Sequence, residues 1–239
     1  MKSTTVCTWE NDWEQVKYRT AWFPFWIVVF CFCVKTLTVY LTKKSLIFNT
    51  YTMARKYYIS KNIFKGIILC MLVPLSTVIL WNGLIKGQWD RHIISICGTL
   101  YAATDMAGLV MVRNLALSTI LHHVCVFIFT LVTLSFDYNT CPWIQSLVIY
   151  GSFASYTFLV NTYLGLRFVI TKNFKNYWMF EDMKKLATVF YMTCIVLTWC
   201  IQYYYMFYIY TFDIFSTSYA ILSHIILFDD IVLINHLLK

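Results

Sequence analysis

The chain has 239 residues, of which 60% are hydrophobic, 19% aromatic and 13% charged, with a formal net charge of +8. Seven Gly and three Pro exclude a collagen-like or low-complexity chain, and the apolar content excludes a disordered one. So much apolar surface exceeds what one soluble domain of this length can hide, and a mean hydropathy of +0.64 fits a multipass protein whose solvent is largely lipid.

The first 20 residues are polar and of mixed charge, unlike a secretory signal, so they read as a lumenal N-terminal segment followed by an uncleaved first anchor at 21–41. At about 20 apolar residues per span, six further helices are predicted at 66–85, 93–112, 116–136, 144–166, 186–209 and 218–238. The expected fold is all-α and integral to the membrane, with about seven transmembrane helices and no repeat or linker. The polar stretches 42–62 and 167–185 mix Lys and Arg with aromatic residues and are expected to lie along the interface.

Orientation follows from the basic residues. Lys2, Lys17, Arg19, Lys86 and Arg91 fall on one side and Lys35 inside a span, which leaves 13 of the 19 Lys and Arg on the other side. The richer side is expected to be cytosolic, with the N-terminus lumenal and the C-terminus in the cytosol. The positive charge is then mainly topology, and nucleic acid is not an expected partner, because the basic residues sit in short loops beside spans. Nine Cys without a CxxC pair support neither a zinc module nor a disulfide framework. Only Cys7 and Cys141 fall in predicted loops, both lumenal, where they can pair.

Charges inside spans are costly, about 2.5 to 3.5 kcal/mol each on insertion scales, and are functional candidates by default. The third and fourth helices form a hairpin around Arg113 and Asn114. Asp105 precedes it by eight residues and His122 follows it by eight, so both lie ~12 Å from its cytosolic end. Lys35, Asn161, Asp229 and Asp230 occupy a similar depth in other spans, and Arg167 stands at the membrane edge. Such a layer suits a cavity entered from the cytosol that holds the head group of a membrane lipid, with Lys35 or Arg167 available for a phosphate or carboxylate. Adjacent His122 and His123 point about 100° apart, so one can act as a base while the other packs or binds. Asp105 can orient an imidazole; the bland alternative is a hydrogen bond that holds the hairpin together. Five His with no HxxxH pattern give no expected metal site. Gly98 with Ala102 and Gly151 with Ser155 read as faces for close helix approach.

Tyr101-Ala-Ala-Thr-Asp105 followed by Leu121-His122-His123 resembles the centre of the TLC-domain family, named for the translocating-chain-associated protein, the longevity-assurance ceramide synthases and the ceroid-lipofuscinosis protein. The resemblance continues in the basic stretch 53–60 and in the helix from Gly151 through Asn161 to Arg167, and it covers roughly residues 50–238. It implies a TLC-type helical barrel around a lipid cavity in the endoplasmic reticulum. His122 and His123 match the family dyad and Asp105 its preceding acid. In the ceramide synthase branch that dyad serves N-acylation from acyl-CoA, which implies acyl-CoA as a possible co-substrate here and no permanently bound cofactor. That branch also carries an HD-x-x-D element, where this chain reads Gly151-Ser-Phe-Ala-Ser155, so the match is closer to the small TLC-domain-containing branch. Two functions stay open: an acyltransferase acting on sphingolipid or phospholipid through the His dyad, or a non-catalytic lipid-sensing, lipid-carrying or cargo-binding protein. A retinal protein is not supported, since the last span has no Lys for a Schiff base.

Overall fold

The computed structural model describes residues 7–8, 13–170, 177–210 and 213–238. Half of the predicted N-terminal segment, positions 1–6 and 9–12, and positions 171–176 of the second basic loop lie outside the described residues. Within them all regular structure is helical. Six helices are long and apolar enough to cross a membrane. They are α1 (Trp13–Lys44), α3 (Met53–Leu80), α4 (Arg91–Met111), α5 (Leu117–Leu134), α8 (Tyr177–Tyr204) and α9 (Ile214–Leu238). A seventh candidate is the pair α6 (Pro142–Ser155) and α7 (Phe158–Leu166), bent by 43° at the join. A single turn, α2 (Leu46–Asn49), links α1 to α3.

Three departures from the sequence reading matter. First, α3 starts at Met53, not at residue 66, because Thr52 accepts a hydrogen bond from the Arg55 amide and caps the helix. The predicted interfacial loop 42–62 is therefore mostly helix. Lys56, Lys61 and Lys65 are carried onto its buried side. Second, the predicted fifth helix is broken. Thr157 donates its hydroxyl to the Ala154 carbonyl at 2.7 Å and Ser155 to that of Gly151 at 3.4 Å, side-chain bonds that compete with the helical ladder and bend it. Third, the close approaches occur at glycines other than those expected. A Cβ on Gly66 would collide with Thr162, and one on Gly165 with Ile63 and the Ile59 carbonyl, so α3 and α7 meet backbone to backbone. Nothing lies within 4 Å of the corresponding point on Gly98 or Gly151. Those two line a small cavity of about 80 Å3 instead of a helix contact.

Helix α3 is central and packs on α1, α4, α6 and α7, while α8 and α9 complete the bundle against α5, α6 and α7. Helix α1 lies on its outside, seated on α3 and α4 through Phe23, Phe30 and Val34, with Phe23 stacked on Phe127 at 5.6 Å. The turn between α4 and α5 sits at Arg113 and Asn114; Asn114 takes φ 62°, a left-handed conformation that Asn tolerates better than most residues. At the opposite end of the bundle Cys7 is disulfide-bonded to Cys141. There the Asp137 amide also donates to the Thr8 carbonyl at 3.1 Å, and the Thr8 and Thr140 hydroxyls are 2.9 Å apart.

Candidate functional site

Helices α3 to α9 enclose a cavity of about 690 Å3 that reaches toward the Arg113 end of the bundle. Its size lies within the range typical of small-molecule sites, roughly 300 to 1,000 Å3. Helix α1 contributes no lining residue.

Two imidazoles from α5 form part of the wall, each set against a carboxylate from a different helix. His123 Nδ1 lies 3.2 Å from Asp105 Oδ1 of α4, across the hairpin. His122 Nδ1 lies 3.2 Å from Asp229 Oδ2 of α9. The helical turn of about 100° between adjacent residues sends the two rings to separate acids. The ring centroids are 5.5 Å apart and the planes nearly perpendicular. His122 is the more open of the two, its side chain 11% exposed against 5% for His123. His123 Nε2 is buried with no hydrogen-bond partner among the described residues.

Each acid has a second partner. Lys65 of α3 donates to the same Asp105 oxygen that faces His123, and its ammonium also lies 4.9 Å from the centre of the Tyr101 ring. Asp229 Oδ1 accepts from the Thr119 hydroxyl at 3.4 Å. Its neighbour Asp230 accepts from the Tyr191 phenol at 3.0 Å. Charges buried this deeply persist only when paired, which explains why each carboxylate has a donor from another helix.

The positions expected to line a cavity fall into three groups. His122, His123, Asn161, Arg167, Asp229 and Asp230 line it. Asp105 does not: it is fully buried behind Lys65 and His123 and acts on the cavity only through them. Lys35 lies apart from the cavity, because it follows buried Val34 on an outer helix and points away from the bundle. At the mouth, Arg55 and Arg167 lie over the Phe168 ring at 4.1 and 4.6 Å, and Arg167 is hydrogen-bonded to His236.

Lys61, Lys65, Arg55, Thr119 and Tyr191 belong to this site but were not singled out from the sequence. For the lysines a signal exists. Lys61, Lys65, Leu69, Leu72 and Ser76 recur at i, i+4, i+8, i+11 and i+15, the spacing of one helix face, and all five are buried.

Asp105, His122 and His123 also bring potential metal-ligating atoms within 4.8 Å of one another. The Lys65 ammonium already occupies that carboxylate and Lys61 adds a second positive charge nearby. A divalent cation would meet both, so the set suits the handling of protons and anions better than a metal. A small second cavity lies further in and shares Tyr101 and Tyr150 with the large one; Val126, Phe129 and Ile226 are among its walls.

No family model, no curated protein and no solved structure matches the chain.

Proposed function

We propose that this chain is a multipass membrane protein of lipid metabolism, a TLC-type barrel that transfers an acyl group from acyl-CoA to a lipid acceptor. The observation that carries the reading is the pair of imidazoles, each against its own carboxylate, in the wall of a 690 Å3 cavity. A histidine held by an acid on one nitrogen is equipped to take a proton on the other. His122, the more open ring, removes the proton from an acceptor hydroxyl or amine. The freed oxygen or nitrogen attacks the thioester carbonyl, the tetrahedral intermediate collapses with cleavage of the C–S bond, and the His122 imidazolium returns the proton to the departing thiolate. Asp229 offsets the positive charge on His122 during this exchange. Asp105 and Lys65 hold His123 as a positioning neighbour. The arginines at the mouth suit the phosphates of coenzyme A. The lipid enters from the cytosolic side of an endoplasmic reticulum membrane, the orientation that the basic residues favour.

A second reading, a lipid carrier or sensor without catalysis, is favoured by the helix that starts at Pro142. Where the ceramide synthase pattern has acids, this chain has Ser152 and Ser155, and the Ser76 hydroxyl donates to Ser155 at 3.0 Å as a helix contact.

The test is acyl transfer by the purified protein in proteoliposomes supplied with labelled acyl-CoA and mixed lipid acceptors. The wild type is expected to form labelled lipid and His122→Ala to lose about 100-fold or more of that rate. Copurified lipid with no turnover in the wild type would instead establish the carrier.

A further inference from the structure

Lys61 is a buried cation that the mechanism does not use. It is 7% exposed, lines the cavity and has neither a hydrogen bond nor a carboxylate within 4.0 Å among the described residues. The acids that influence it are Asp105 and Asp229. Both are already engaged, the first by Lys65 and His123, the second by His122 and Thr119. Its side chain also has a seat built for it. The stem lies against Gly108 of α4, where even a Cβ would collide with the Lys61 Cε. An ammonium placed in a cavity wall, with an adjacent helix cleared for its stem and no counter-ion, is incomplete without an anion.

The rest of the lining points the same way. Five Lys or Arg line the cavity, namely Arg55, Lys61, Lys65, Arg113 and Arg167, against two Asp, 229 and 230. Asp230 is held by the Tyr191 phenol. A lipid with a protonated amine would therefore meet like charge, whereas a phosphate would meet an unpaired one.

We infer that Lys61 binds the phosphate of the acceptor, and hence that the acceptor is an anionic lipid with a phosphate head group and a free hydroxyl, not a sphingoid base. The inference rests on the acyltransferase reading for the word acceptor, but binding can be measured without turnover. With such a lipid the reaction balances as an O-acylation: the hydroxyl oxygen bonds to the acyl carbon, the C–S bond breaks, and the hydroxyl proton reaches the thiolate through His122.

The experiment measures binding to the full-length protein in detergent by native mass spectrometry and competition. The ligands are oleoyl lysophosphatidate, oleoyl monoacylglycerol, sphingosine, coenzyme A and inorganic phosphate. Lysophosphatidate is expected to bind at least tenfold more tightly than either monoacylglycerol or sphingosine. Lys61→Gln should abolish that preference while leaving monoacylglycerol binding unchanged; Lys61→Arg should retain it and serves as the control for folding. Equal binding of lysophosphatidate and monoacylglycerol, or a preference that survives Lys61→Gln, overturns the inference. If coenzyme A or inorganic phosphate alone competes in a Lys61-dependent way, Lys61 belongs to the donor or to free phosphate and the inference also fails. The wild type separates the two readings: Lys61-dependent binding of lysophosphatidate with no acyl transfer by the wild type removes the enzyme but keeps the anion site.

Discussion

Lys65 and Asp105 sit side by side in the bundle interior, 8% and 0% exposed, with His123 on the same carboxylate oxygen. Taking either charge out of water is expensive, and their mutual attraction offsets that cost only while both are present. Lys65→Met is therefore expected to destabilise the protein by about 3 to 5 kcal/mol, because it strands a buried carboxylate whose Oδ2 already lacks a partner. Adding Asp105→Asn should restore a large part of the loss. Thermal unfolding of the single and double variants in detergent decides it; two losses that simply add would mean that the residues do not act as a pair. Counting residues outward from the Arg113 turn puts Asp105 level with His122, and the acid does meet the His pair across the hairpin, but through His123, one residue further along α5. The pairing of His122 with Asp229 was not legible in the sequence. It depends on how α9, more than 100 residues away, is rotated against α5, and no local count reports a rotation.

Helix α3 shows why hydropathy located the spans better than their ends. A search for continuous apolar sequence begins at Gly66, where the lysines stop, yet the backbone is helical from Met53 because Thr52 caps it and Arg and Lys are good helix formers. The three buried lysines are tolerated because Lys65 is matched by Asp105, Lys61 faces a cavity and Lys56 donates to the Asn49 side-chain oxygen at 3.3 Å. The glycines carry the same lesson. Spacing at i, i+4 marks a face without saying what lies opposite it, and Gly98 and Gly151 turned out to face open space. Gly98→Ala and Gly151→Ala are consequently expected to be neutral or to stabilise their helices by about 0.5 to 1 kcal/mol, through the lost backbone freedom of glycine alone. Gly66→Ala and Gly165→Ala should cost about 1 to 3 kcal/mol, because the added methyl runs into the β-branched side chains of Thr162 and Ile63, with backbone of the opposing helix at 3.0 Å leaving no room to yield. Parallel melting curves of the four variants are the measurement; a uniform response would mean that the α3 contact with α7 is looser than described.

At the scale of the whole molecule, two observations concern the same axis. The basic residues concentrate at the end that carries Arg113 and Arg167 and favour the cytosol there. The disulfide lies at the other end, because α5 runs the length of the bundle between the Arg113 turn and the loop that holds Cys141. A disulfide persists in an oxidising compartment, so the proposed orientation, with the Arg113 end in the cytosol, requires the Cys7–Cys141 end to be lumenal. The bond joins positions 134 apart and closes a loop that contains all of α1 to α5. Loop entropy for a closure of that size sets an upper bound of about 5 kcal/mol on its contribution, and the true value should be smaller, because helices that stay inserted in lipid explore less space than a free coil. Cys7→Ser with Cys141→Ser is thus expected to lower the melting temperature while leaving the 690 Å3 cavity in place, since that cavity opens toward the opposite end. In sealed membrane vesicles of cells that make the protein, oriented with the cytosolic face outward and treated with a reductant that crosses membranes, a membrane-impermeant maleimide should label neither thiol until the vesicles are opened. Labelling of Cys141 in sealed vesicles would overturn the proposed orientation.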